Sequence, residues 1–233
     1  MYTNKKILCI IPARGGSKRL PGKNIKLLNG IPLIGYAIKA AKESKYIDKV
    51  IVSTDYEEIA RVVRKLGAEV PFMRPAELAT DTATTLSVLQ HAVNFFEEKE
   101  EQFDLIVLIQ PTVPGIEARD IDASIEKIVS AGVKSCITVS SIVDPPEWMY
   151  RIDAEGRLQK YIDLPASREQ DLEKLYRVNG AVYVTVHNTL MQENKIVDNE
   201  NCAGVLMPRE RSTDIDTEFD FEIAELAIKR GTI

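Results

Sequence analysis

Five short apolar runs, residues 7–11, 49–53, 105–109, 135–139 and 181–186, punctuate the chain. Their length and β-branched content suit strands buried on both faces. Between the first four lie PLIGYAIKAAKES, DYEEIARVVRKLG, TLSVLQHAVNFFEEKE and DIDASIEKIVSAG; apolar residues recur at i, i+3 and i+4 in each, the period of an amphipathic helix. Strands alternating with helices imply an α/β fold, a mostly parallel sheet with helices on both faces. In such sheets ligands sit beyond the carboxyl ends of the strands.

After residue 139 the rhythm breaks. Residues 142–177 mix prolines, charge and short alternating patches such as WMYRID and RLQKYID. A stretch that long without a helix exceeds an ordinary connection. It predicts a β-rich arm inserted into a single domain spanning residues 1–233, serving as a lid or packing on a second subunit; Trp148 falls within it. The chain closes on TDIDTEFDFEIAELAIKR, where Thr217 and Asp220 have capping-box spacing. Phe219, Ile223, Leu226 and Ala227 supply the predicted apolar face of a last helix.

The segment ARGGSKRLPGKN, residues 13–24, leaves the first strand at the ligand end with three glycines and four cations, Arg14, Lys18, Arg19 and Lys23. Glycines let backbone N–H groups approach an anion, and Arg and Lys neutralise it, so the loop expects phosphate. It is not a P-loop: five residues rather than four separate Gly16 from Gly22, and Asn24 stands where Ser or Thr would bind magnesium. The dinucleotide spacing GxGxxG is also absent.

Near the other terminus, Asp214 and Asp216 are spaced i, i+2, which in an extended segment puts both carboxylates on one side. Such a pair is a turn or cap feature by itself. Beside a triphosphate it suits Mg²⁺, which takes one or two carboxylates and fills its other positions with water and phosphate oxygens.

A net charge of −5 argues against a nucleic-acid-binding surface and confines any polyanion site to the opening loop. Cys9, Cys136 and Cys202 form no CxxC pair and there are two histidines, which leads us to expect reduced thiols, no zinc and a cytoplasmic protein. The N-terminal apolar stretch is too short for a membrane span or signal peptide. His91 in a helix pattern and His187 at a strand end are read as structural.

With these residues identified, the chain resembles the CMP-sialic acid synthetases (acylneuraminate cytidylyltransferases), through IPARGGSKRLPGKNI, VSTD, RPAELATDTATT, LIQPTVP, YRVNGAVYV and DIDTEFD in that order. The resemblance implies a Rossmann-like nucleotidyltransferase fold and transfer of CMP from CTP to a nonulosonic acid of the N-acetylneuraminate or legionaminate type, with release of pyrophosphate. By the same resemblance Arg14, Ser17, Lys23 and Asn24 hold the CTP phosphates and ribose, with Arg14 and Lys23 stabilising the leaving group. Arg74, Ala83 and Thr85 read cytosine and ribose. Gln110, Arg177, Asn179 and Tyr183 match sugar-site positions, Asp214 and Asp216 match the Mg²⁺ ligands, and the arm matches the contact of a homodimer.

The chain departs from the family in two places. PTVPGI replaces the usual PTSPLR, with Val113 for serine and Ile116 for arginine. The arginine-glutamine pair expected before YRVNG reads Glu169-Gln170, with Arg168 one place early; Arg168 and Gln170 are the corresponding sugar-site candidates. A carboxylate at 169 would weaken binding of an acidic sugar. Two alternatives stay open: the related synthetase for the eight-carbon acid Kdo, and a CTP-binding regulatory module without turnover.

Overall fold

The computed structural model describes residues 2–162 and 173–233. The first half runs β1 (Ile7–Pro12), β2 (Leu27–Leu28), β3 (Ile31–Pro32), α1 (Leu33–Glu43), β4 (Lys49–Ser53), α2 (Glu57–Lys65), α3 (Thr85–Glu97) and β5 (Leu105–Ile109). The second runs α4 (Ala118–Ala131), β6 (Ser135–Ser141), β7 (Tyr150–Ile152), β8 (Leu158–Lys160), β9 (Tyr176–Val186), α5 (His187–Met191), β10 (Cys202–Leu206) and α6 (Glu218–Lys229).

The main sheet has six strands in the order β10-β6-β9-β5-β1-β4. β1 pairs in parallel with β4 and β5, and β10 in parallel with β6, whereas β9 is antiparallel to both β5 and β6. The expected mostly parallel α/β sheet is therefore present, with one reversed strand. The arm explains the reversal: it leaves β6 at its carboxyl end and returns at that same end, so the next strand runs backwards.

Alternation along β1 divides the core. Ile7, Cys9 and Ile11 pack with Ile34 and Ile38 of α1, Val63 of α2 and Ile121 and Ile125 of α4. Leu8 and Ile10 pack on the opposite face with Leu89, Val93 and Phe96 of α3 and Leu190 of α5. Each fully buried Ile or Leu contributes about 1.5–3 kcal/mol relative to exposure, which is why β1 needs no polar face. Cys9 and Cys136 are buried free thiols, and burial pushes the Cys9 thiol far up. No helix among the described residues is long and apolar enough to cross a membrane.

Three details differ from expectation. β10 lies outside the five apolar runs, and β9 starts at Tyr176 rather than 181. The last helix has its predicted capping box, with the Thr217 side chain accepting from the Asp220 amide, but buries the other face. Phe221 and Ala224 join Leu20, Leu28, Leu33 and Ile215 in a small cluster, and Lys26 Nζ lies 4.5 Å over the Phe221 ring. Phe219, Ile223 and Leu226 are exposed: docking on the β2–β3 hairpin, rather than the widest apolar stripe, fixes the rotation of the helix.

Within the arm, β7 and β8 form an antiparallel hairpin whose six residues are all exposed. Residues 163–172 lie outside the described residues, and with them Arg168, Glu169 and Gln170.

Candidate active site

β1 delivers the chain to the carboxyl edge of the sheet, where residues 13–24 fold back. Gly22, at φ 67°, takes the left-handed turn that starts a short 3-10 helix, Lys23–Ile25, and turns Lys23 and Asn24 inward. Only glycine adopts that turn at low cost. The Asn24 amide donates to the Arg14 carbonyl at 3.1 Å, tying the end of the loop to its start. Lys23 Nζ donates to the Ile215 carbonyl at 2.6 Å and to Asp216 Oδ1 at 3.0 Å. Arg19 holds Asp216 Oδ2 at 2.9 Å. The cationic loop and the acidic segment, from opposite ends of the sequence, thus meet directly.

They share a cleft of about 560 Å³ lined by Arg14, Ser17, Lys18, Arg19, Lys23, Asn24, Arg74, Ala83, Thr85, Gln110, Thr112 and Asp216, among others. That volume suits a small-molecule ligand. Its cationic lining comprises Arg14, Lys18, Arg19, Lys23 and Arg74 against Asp81 and Asp216, a local positive surplus on a chain that is negative overall. Asp81 pairs with Arg14 at 2.9 Å and with Lys18, so Asp81 and Asp216 between them occupy the cations that a triphosphate would claim. These pairs hold the Asp81 carboxyl below its ordinary range, the Lys18 bond being the larger cause.

Arg74 is placed by β4: its amide donates to the Thr54 carbonyl at 2.7 Å, and its Nε to Ser53 Oγ at 3.0 Å. Burial pulls its pKa down to about 10, so it stays cationic at neutral pH and presents a rigid guanidinium in the cleft wall. Ala83 and Thr85 sit at the start of α3, where Thr84 caps the helix by accepting from the Ser87 amide. Gln110 and Thr112 follow β5.

Asp214 stands beside the cleft, near Tyr183. Solvent reaches the carboxylate, yet the surrounding walls raise its pKa, and the like charge of Asp216 adds to this; a Thr112 hydrogen bond acts the other way. A carboxyl that holds its proton more tightly when folded loses stability as pH rises from the unfolded value of about 3.9 through the folded value. Asp214→Asn removes that penalty. The variant is expected to melt slightly higher than the parent at pH 7, the gain being modest because solvent screens the group. Melting curves below the unfolded pKa should show the difference closing; a lower midpoint at pH 7 would contradict the strain assigned here.

The other candidates are spread out. Tyr183 is half-buried in β9, and burial and the Asp214 carboxylate push its phenol up. Arg177 is exposed on β9 opposite Ser140 and is not among the residues that line the cleft. Asn179 is 4% exposed. Its oxygen accepts from Thr138 Oγ1 at 2.7 Å and from the Ala181 amide, and its nitrogen donates to Ser212 Oγ at 2.9 Å and to Met207 Sδ. With both ends engaged it joins β6, β9 and the segment before Asp214. Neither histidine lines the cleft. His91 packs edge-on to Phe72, and His187 Nε2 lies 2.7 Å from Glu97. Asp81 and Thr112 are site residues that sequence reasoning does not single out, although both lie within the motifs RPAELATDTATT and LIQPTVP.

An α/β sheet with a cationic loop at its carboxyl edge and an acid pair beside that loop matches the layout of a nucleotidyltransferase. The chain belongs to the cytidylyltransferase family of enzymes, whose sequence profile matches residues 8–197. It is 36% identical over 226 residues to the CMP-N,N'-diacetyllegionaminic acid synthase of Legionella pneumophila, covering 94% of this chain and 95% of the relative. It is 34% identical to the pseudaminic acid cytidylyltransferase of Campylobacter jejuni, covering 96% and 97%. With the N-acylneuraminate cytidylyltransferase of Streptococcus agalactiae it shares 35% identity over 93% of this chain and 52% of that longer protein. Two solved structures share the fold at low identity. CMP:2-keto-3-deoxy-manno-octonic acid synthetase complexed with CTP has a TM-score of 0.74 at 17% identity, covering 97% and 99%. The 4-diphosphocytidyl-2C-methyl-D-erythritol synthase of Anaerococcus prevotii has a TM-score of 0.68 at 16%, covering 98% of each.

Proposed function

We propose that the chain transfers CMP from CTP to the anomeric hydroxyl of a sialic acid-like nonulosonic acid, releasing pyrophosphate. The observation that carries the reading is the convergence of Arg14, Lys23 and Asp216 on one cleft. Relatives named for legionaminic, pseudaminic and N-acylneuraminic acids, each at 34–36% identity, favour a nine-carbon acid over Kdo, whose synthetase is a neighbour in fold.

The hydroxyl oxygen attacks the α-phosphorus in line as the bond to the β-phosphate oxygen breaks. Such chemistry needs positioning and charge neutralisation more than a covalent nucleophile. Arg14 and Lys23 face the departing pyrophosphate, and Arg74, Ala83 and Thr85 hold the nucleoside. Gln110 and Tyr183 lie on the sugar side.

Asp214 and Asp216 fit Mg²⁺. Their carboxylates repel each other, and no third Asp, Glu, His or Cys closes a cage around them among the described residues, which leaves positions for phosphate oxygens and water. Bound there, the ion supplies further neutralisation of phosphate charge. The exposed β7–β8 hairpin, with Trp148, Ile152 and Leu158 uncovered, supports a homodimer, since an isolated hairpin is marginal in water and large exposed apolar patches mark interfaces. The free thiols support a cytoplasmic site of action.

The test follows pyrophosphate release with CTP and Mg²⁺ against N-acetylneuraminate, legionaminate-type and pseudaminate-type acids and Kdo. Turnover with one or more of the nine-carbon acids is expected. Turnover with Kdo alone, or CTP binding with no turnover on any acid, would overturn the reading.

A further inference from the structure

Arg211 has no part in the chemistry above, yet it is one of the most tightly held cations in the molecule. It is 6% exposed. Nη1 donates to Asp120 Oδ2 at 2.6 Å and to the Gly115 carbonyl at 3.0 Å, Nη2 donates to Asp120 Oδ1 at 2.8 Å, and Glu117 Oε1 lies 3.5 Å away. Asp120 also accepts from the Glu117 amide as part of the capping box that starts α4. A single guanidinium therefore ties the segment leading to the acid pair to the turn after β5.

The approach is close. A Cβ on Gly115 would lie 2.4 Å from the Arg211 carbonyl oxygen and 2.7 Å from its Cα, so only glycine lets the two backbones meet. Further along the same seam the Ile215 amide donates to the Thr112 carbonyl at 2.8 Å. The seam thus has Arg211 and Gly115 at one end and Thr112 and Ile215 at the other. The turn itself, PTVPGI, contains no cation; its guanidinium comes from the facing segment.

Stability alone is a poor reason for this arrangement. Buried ion pairs are often no better than apolar packing of the same volume, and Arg211 Nε is buried without a hydrogen-bond partner among the described residues, an unmade bond that costs stability. A planar fork gripping one carboxylate with both arms gives fixed geometry.

We propose that Arg211 is a positioning residue for nucleotidyl transfer: through Asp120 and Gly115 it sets the register between the Gln110–Thr112 turn and the Asp214–Asp216 segment. The inference rests on the cytidylyltransferase reading above, and one of its readouts does not depend on that reading.

Two variants test it. Arg211→Lys keeps the charge but loses the fork, whereas Gly115→Ala keeps every charge and wedges the backbones apart. In nucleotide-free protein, amide exchange at Ile215 is expected to accelerate in both while β1 and β5 retain their protection. In the transfer assay, well below each unfolding midpoint, kcat should fall by about 10–100-fold, as misplacement on the ångström scale implies, with CTP affinity by calorimetry little changed. Unchanged Ile215 exchange overturns the inference, as does faster exchange with parental kcat. Failure of both variants to fold overturns it too, because the seam would then be a stability element. If the parent transfers to no sugar acid, the functional reading fails, and the exchange result still decides whether Arg211 sets the register.

Discussion

Asp216→Ala is expected to abolish turnover, by about 10³-fold or more, the upper range for losing one preorganised electrostatic group, and to leave the fold intact. The side chain is half-exposed, and its structural partners are Lys23 and Arg19. Neither depends on it for placement: Lys23 keeps the Ile215 carbonyl at 2.6 Å, and Arg19 is largely in solvent. The start of α6 is capped by Thr217 and Asp220 rather than by Asp216. Far-ultraviolet circular dichroism and melting should match the parent while pyrophosphate release is lost. A fully active variant would remove the acid pair from the mechanism.

Lys23→Ala should slow the reaction by about 10²-fold or more if the ammonium neutralises charge on the departing pyrophosphate. Its position suits that role, because the stem is buried, the head is fixed by two acceptors, and the cleft lies beyond it. Unlike Asp216→Ala, this change should also reduce stability, by about 1–3 kcal/mol, because the Ile215 carbonyl is left without its donor. Steady-state kinetics against both substrates separate the possibilities. A fall in kcat fits charge neutralisation; an effect confined to the KM of the sugar would contradict it.

Much of this site can be read from the chain because its parts are local. Residues 13–24 leave a strand and carry their own glycines and cations, so the strand period and the loop composition predict a phosphate site without any tertiary knowledge. The acid pair is equally local, and what the fold adds is the Lys23–Asp216 contact that joins the two. The features that the sequence hides depend on the rest of the molecule. β10, CAGVL, contains glycine and lies at the sheet edge, where half-burial leaves little periodic signal. The face of α6 is chosen by Leu28 and Ile215 rather than by its own apolar stripe. Asn179 sits in a motif that resembles active-site sequence, yet the register shift between β6 and β9 near Ile137 and Val139 accompanies its engagement with Thr138 and Ser212. Arg211 looks no different in sequence from its neighbour Arg209; only the space beside Gly115 sets it apart.

The central claim is that one nucleotide–metal complex bridges the opening loop and the closing acids. Crystals of the protein grown with CTP and Mn²⁺ in place of Mg²⁺, measured at the manganese absorption edge, test it directly. The expected map has an anomalous peak between the Asp214 and Asp216 carboxylates and the triphosphate, with Arg14 and Lys23 on phosphate oxygens. A triphosphate seated in the loop with manganese elsewhere, or bound away from Arg14 altogether, would contradict it.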